Sequence, residues 1–281
     1  MERSTLAWFR ADLADAPDET AALIDALRDT YDVDVITEAQ AHDFVWKHFR
    51  APYDLCVYEL SHAASDEFML AYLVHYPGVL LLMDASSHPA HEIPAAPIVV
   101  VRQASSAQTM QDLFPDACVR HAPLPVRAVQ NDADIVIALD WPVTPHSLTR
   151  ALRGIAAGKA VVVFECDATA DWPALNPQTW QPRGSSPDAP IVVSIDPRDE
   201  QHSLTLAVKR LTTDAALRGE LGAAARAWWA SHATIDHAVR AWKAILDGAM
   251  TLPAFSTHAS DGTERAREIL AEFGVDVDFL R

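Results

Sequence analysis

The chain has 281 residues, half of them apolar, and carries 22 lysines and arginines against 39 aspartates and glutamates, a net charge of −17. That balance, with no long run of cations, excludes a nucleic-acid surface and speaks against an anionic-lipid surface, since both need clustered positive charge. Apolar stretches such as that around 79–83 fall far short of the roughly 20 residues that span a bilayer, so no membrane span is expected.

The first residues, Met1-Glu2-Arg3-Ser4-Thr5, lead into a segment of strand length and carry no secretory pattern. Cys56, Cys118 and Cys166 sit in apolar contexts without paired spacing. They read as buried reduced thiols, and a cytoplasmic location is expected.

Short β-branched runs alternate with helical stretches along the chain. Residues 5–9 read as a first strand, and 17–31 as a helix opened by Pro17, Asp18 and Glu19, with Leu23, Ile24 and Leu27 as its buried stripe. Strands are predicted at 33–37, 54–59, 79–83 and 98–101, with helices at 67–75 and 107–114. Tyr76-Pro77-Gly78 stops the helix at 67–75. Continuous rather than alternating apolar strands imply a sheet covered on both faces, and helices between them imply a parallel, doubly wound layer. Pro123-Leu124-Pro125 breaks the pattern and marks a domain crossover.

Beyond it, strands are predicted at 134–139, 160–164 and 191–195, and helices at 146–157, 200–212, 214–230, 235–249 and 263–273. Three strands are fewer than the roughly six of a complete Rossmann-like domain. The fold class is therefore α/β: a parallel Rossmann-like N-terminal sheet over 1–125, a reduced second α/β domain over 126–250, and a C-terminal helical extension over 251–281. Trp228, Trp229 and Trp242 are expected to lock the late helices against the first domain.

Four segments, in order, resemble the group 1 (family 4) glycosyltransferases of the two-Rossmann-domain (GT-B) fold. They are Tyr53-Asp54-Leu55-Cys56-Val57-Tyr58-Glu59-Leu60, Tyr76-Pro77-Gly78-Val79-Leu80-Leu81-Leu82-Met83-Asp84, the strand-helix-strand from Asp134 to Val163, and the helix with Leu217-Arg218 and Leu221-Gly222. The resemblance implies a retaining enzyme that uses a nucleotide-sugar donor. The chain departs from the family at the positions such an enzyme needs. Arg10-Ala11-Asp12-Leu13-Ala14-Asp15 replaces a glycine-containing loop, Ser61-His62 replaces a Gly-Asn pair, Asp66 replaces a downstream histidine, and Met83 replaces the histidine of Leu-His-Asp. His146 stands where the first donor glutamate is expected, and Arg153 or Gly154 where the second is. The segment whose cations neutralise the diphosphate is reduced to 127–132.

What remains as donor-side candidates is His146, Ser147, Arg150 and Arg153. Arg150 and Arg153, three residues apart, share a helix face and could clamp a phosphate, or else form surface salt bridges in this acidic chain. Acceptor-side candidates are Ser61, His62 and Asp84, the last being a sugar-binding carboxylate or a turn cap. His42 and His48 flank Trp46, and His88 and His91 lie beside Glu92, but neither spacing matches a metal-ligand pattern. No metal and no cofactor are expected. The expected function is that of a degenerate glycosyltransferase-like protein, partner or scaffold to itself or to another glycosyltransferase-like chain. The alternative is an active transferase whose nucleotide-sugar site is atypical or completed by a partner.

Overall fold

The apolar runs lie side by side and all point one way. A computed structural model of the protein describes residues 3–11, 18–60, 67–83, 96–113, 115, 117–128, 132–141, 143, 145–184 and 188–252. Its first half contains β1 (Thr5–Phe9), α1 (Asp18–Leu27), β2 (Asp32–Ile36), α2 (Ala41–Arg50), β3 (Leu55–Leu60), α3 (Glu67–His75), β4 (Val79–Leu82), β5 (Ile98–Val101), α4 (Ala104–Leu113) and β6 (Cys118–His121). These strands form a six-stranded sheet in the order β2-β1-β3-β4-β5-β6, parallel throughout.

Alternation along each strand sends neighbouring residues to opposite faces. Ala7, Phe9, Tyr58, Leu80 and Val99 point to the face covered by α2, α3 and α4. Leu6, Trp8, Val57, Leu81 and Val100 point to the other, against α1. Both faces are buried, which is why the strands read as unbroken apolar runs.

The second half contains β7 (Ile135–Ala138), α5 (Pro145–Ala156), β8 (Ala160–Phe164), β9 (Ala174–Leu175), β10 (Val192–Ile195), α6 (Glu200–Thr213), α7 (Ala215–His232) and α8 (Ile235–Met250). Its sheet has four parallel strands in the order β7-β8-β10-β9. The expected α/β architecture is borne out: a full parallel sheet, then a reduced one.

Three elements were not foreseen. The strand β6, Cys-Val-Arg-His, is an edge strand with Arg120 and His121 exposed, so it lacks the apolar run of its neighbours. The strand β9 is two residues long inside a Pro- and Trp-rich loop. The helix α2 buries only Ala41 and Phe44, too sparse a stripe to announce a helix. Helix α4 begins at Ala104, three residues before the expected start at 107. The helix expected at 263–273 lies outside the described residues. Among those described, no helix is long and apolar enough to cross a membrane.

The chain returns to its beginning. Helix α8 leaves the second sheet and packs Ala238, Trp242 and Leu246 on the α1 face of the first. The Trp242 ring sits 5.2 Å from that of Trp8, the Tyr31 hydroxyl donates to Asp247 at 2.6 Å, and Lys243 Nζ donates to Thr30 Oγ1 at 3.2 Å. The expected tryptophan lock thus holds for Trp242 alone. Trp228 and Trp229 pack instead with the second-sheet core, because α7 ends before the chain crosses back. Of the three free thiols, Cys56 is buried while Cys118 and Cys166 are only partly so, since both lie at strand ends rather than inside a sheet. Burial pushes the Cys56 thiol up to about 12, which keeps it protonated and unreactive.

Helix α7 meets the α5–β8 turn with no side chain between them. A Cβ on Gly222 would lie 2.1 Å from the Gly158 carbonyl oxygen, and Gly158 itself holds φ +68°. Gly222→Ala is expected to cost about 2 kcal/mol, since backbone must move to admit the methyl. A urea midpoint equal to that of the parent would show that α7 can lift off at no cost.

Candidate functional site

Two chain passages connect the sheets, and they run side by side. Val126 N–H donates to the Ala233 carbonyl at 3.1 Å, and Trp229 Nε1 donates to the Val126 carbonyl at 2.9 Å. Beside this seam opens a cleft of about 300 Å³. The first half contributes Arg102, Gln103 and Ala104 after β5, His121 at the end of β6, and Pro123 and Leu124 of the crossover. The second half contributes Leu148 and Leu152 of α5, Asp171, Trp172 and Pro173 beyond β8, and Trp228 of α7, with His232, Ala233 and His237 at the α7–α8 turn.

His121 is the best-positioned titratable group in it. A carbonyl oxygen can only accept, so His121 Nε2–H donates to Arg102 O at 3.1 Å, leaving Nδ1 as the acceptor in the neutral ring. Loss of solvation lowers its pKa below the ordinary histidine range, and His237 adds to that; the Arg102 carbonyl and Asp171 pull the other way without reversing it. The shift favours the neutral ring, a base within the field of a carboxylate. His121, Asp171 and His237 lie on three distant segments, and no spacing rule connects them. The one sequence signal was weak: His121 sits at the carboxyl end of a strand, where open α/β sheets collect ligands.

A second polar cluster fills the point where the strand order of the first sheet reverses, between β1 and β3. Arg10, 1 % exposed, follows β1, and its Nε lies 3.4 Å from Glu59 Oε2 on β3. Thr20 Oγ1, in the first turn of α1, donates to Glu59 Oε1 at 3.0 Å. Doubly wound sheets commonly bind ligands at such a switch point; here a buried ion pair occupies it. Burial raises the Glu59 carboxyl above its usual range even though Arg10, Thr20, Trp8 and Arg102 all favour the ionised form.

The candidates from the sequence are dispersed. Arg153 Nη2 donates to Glu19 Oε1 at 2.9 Å, and Glu19 is buried in the first turn of α1, so this pair bridges the two halves. Arg150 pairs with Asp140 at 3.6 Å. The two arginines share a helix but not a partner. Ser147 is buried at 2 % exposure. From α5 it is Leu148 and Leu152 that line the cleft, while Ser147, Arg150 and Arg153 do not. Gly154, which with Arg153 is one of the two positions where the resemblance puts the second donor glutamate, packs on β7 and β8: a Cβ there would meet Val161 and Val136 at 3.0 and 3.1 Å, so a larger side chain would require those valines to shift. Met83 is buried in the core. Ser61, His62 and Asp84, with Asp66, His88, His91 and Glu92, lie outside the described residues, as does the His146 side chain. His42 contacts Asp43 at 3.2 Å, and the His48 ring accepts from Tyr53 N–H at 3.2 Å.

No protein-family model matches the chain, and no curated protein matches it in sequence. Among solved structures it is similar to CalG4, the calicheamicin glycosyltransferase, at 12% identity and a TM-score of 0.45, over 88% of this chain and 99% of that one. It is also similar to MurG of Acinetobacter baumannii, at 10% identity and a TM-score of 0.44, over 89% of this chain and 100% of that one.

Proposed function

We propose that this chain is a glycosyltransferase-like protein of the GT-B, group 1 type that has lost autonomous nucleotide-sugar transfer and acts as a partner or scaffold. In this reading residues 1–125 and 126–250 are the two Rossmann-like units, and the interdomain cleft is the ligand site. One observation carries it. The arginines of α5, best placed by sequence to neutralise a donor diphosphate, are each engaged by a carboxylate of the chain itself, Arg153 by Glu19 and Arg150 by Asp140. A diphosphate adds about two negative charges to a chain at −17, and it would have to displace those carboxylates to be held.

Two surfaces suit a partner. The strand β7 is an edge of the reduced sheet, with Ile137 exposed beside the exposed Trp141; an unpaired edge is a template for another chain. On α2, Trp46 and Phe49 are 69% and 82% exposed, an apolar patch of the kind that marks protein contacts. The partner is a second copy or another glycosyltransferase-like chain.

A second reading, an active transferase with an atypical or partner-completed site, has the neutral His121 beside Asp171 in its favour. Thermal shift and turnover assays with UDP, GDP and ADP sugars separate the two. We expect no rise in melting temperature and no turnover by the isolated protein; a saturating ligand would raise it by mass action. Saturable binding or turnover of any of these sugar nucleotides by the isolated protein would put the transferase reading first.

A further inference from the structure

The interdomain cleft is built unlike a phosphate site. Among the described residues Arg102 is the one permanent cation along its wall; it is buried at 9 % exposure, and its charge is felt inward by Glu59. Two exposed carboxylates, Asp171 and Asp188, stand on the same wall. Trp172 and Trp228 also line it, their ring centroids 6.1 Å apart and the planes tilted by 58°; the His232 ring stacks on Trp228 at 4.8 Å, so Trp172 and the remaining face of Trp228 supply the aromatic surface. The face of an indole is electronegative, and with carboxylates nearby it selects for positive charge. A hard metal ion is a poor occupant, because it needs many converging oxygens where this wall offers indole carbon. A neutral sugar could donate its hydroxyls to these carboxylates but would not balance their charge, and a nucleoside diphosphate would be repelled by them. What suits the wall is a weakly hydrated cation with an apolar skin.

We propose that this cleft binds an organic cation, a quaternary or alkylated ammonium on a body small enough for about 300 Å³, with the indoles of Trp172 and Trp228 against the ammonium group and Asp171 supplying the counter-charge. The inference takes the cleft of the proposed function as its site, but does not depend on the loss of catalysis.

The test titrates the full chain with choline and with neohexyl alcohol, in which carbon replaces the ammonium nitrogen. It is run at about pH 8, above the ordinary histidine range, from which loss of solvation moves His121 further down. Tryptophan fluorescence and calorimetry report binding, and UDP-glucose serves as the anionic probe. Choline is expected to saturate and the alcohol to bind at least about tenfold more weakly, the factor a desolvated cation–π contact supplies. Asp171→Asn, a change at an exposed side chain that leaves the fold intact, is expected to weaken choline by about tenfold, as is Trp228→Leu. Equal binding of choline and the alcohol overturns the inference, as does choline binding that Asp171→Asn leaves unchanged. Silence toward all three probes overturns this inference alone. Saturable UDP-glucose binding without choline binding overturns it together with the proposed loss of donor recognition.

Discussion

Replacing Glu59 by alanine is expected to lower stability by about 3–5 kcal/mol, because it leaves the guanidinium of Arg10 buried without its carboxylate. Arg10 is 1 % exposed and Glu59 3 %, so water cannot take over the charge. The pair is nevertheless not a strong source of stability. Desolvation is the largest influence on Glu59 and raises its pKa against every attractive contact, so removing both charges costs less than removing one. Arg10→Met combined with Glu59→Leu is expected to recover most of the loss. Urea denaturation of the parent, the single variant and the double variant checks this; a double variant no better than Glu59→Ala would mean that the network supplies net stability. The pH dependence has a definite sign. A carboxyl whose folded pKa lies above its unfolded value contributes stability that is fully present below the unfolded pKa, about 4.3, and is lost as pH rises through the folded one. The double variant lacks this group, so its stability relative to the parent should improve from acid to neutral pH.

Trp242→Ala is expected to be as damaging, about 3–5 kcal/mol, by removing a large side chain that is fully buried and leaving a cavity between α8 and the first sheet. At roughly 2–4 °C per kcal/mol for a chain of this size class, the melting temperature should fall by about 10 °C. The lesion lies late in the sequence, yet its effect should appear in the N-terminal sheet, because the ring it removes packs on Trp8 of β1. Hydrogen exchange would show β1 and α1 losing protection first. A fall of under about 2 °C would mean that α8 adds little to that core. Trp242→Phe keeps an aromatic ring near Trp8 and should cost less than half as much as alanine.

Both variants act through contacts between residues far apart in the chain, and the same distance limits what the sequence discloses about the site. The placement of α5 beside the cleft was legible, since its apolar stripe and the strands around it set where it lies. Which of its residues face the ligand space was not: the polar candidates Arg150 and Arg153 turn to Asp140 and Glu19, and the leucines between them line the cleft. Arg153 and Glu19 are 134 positions apart, and no periodicity relates them.

By itself the sequence determined the α/β class, the parallel first sheet and the shortness of the second, because burial on both faces writes continuous apolar runs into Leu6–Phe9, Val79–Leu82, Ile98–Val101 and Ala160–Phe164. Only the tertiary structure decided the rest. The edge strand β6 was hidden because an edge faces water on one side and needs no such run. The burial of Arg10 against Glu59 depends on β1 pairing with β3 inside the first sheet, while the return of α8 to Trp8 and the meeting of His121, Asp171 and Trp228 at one cleft depend on how the two sheets are set against each other. Hydrophobic patterning reports whether a residue is buried, but not which distant residue it is buried against.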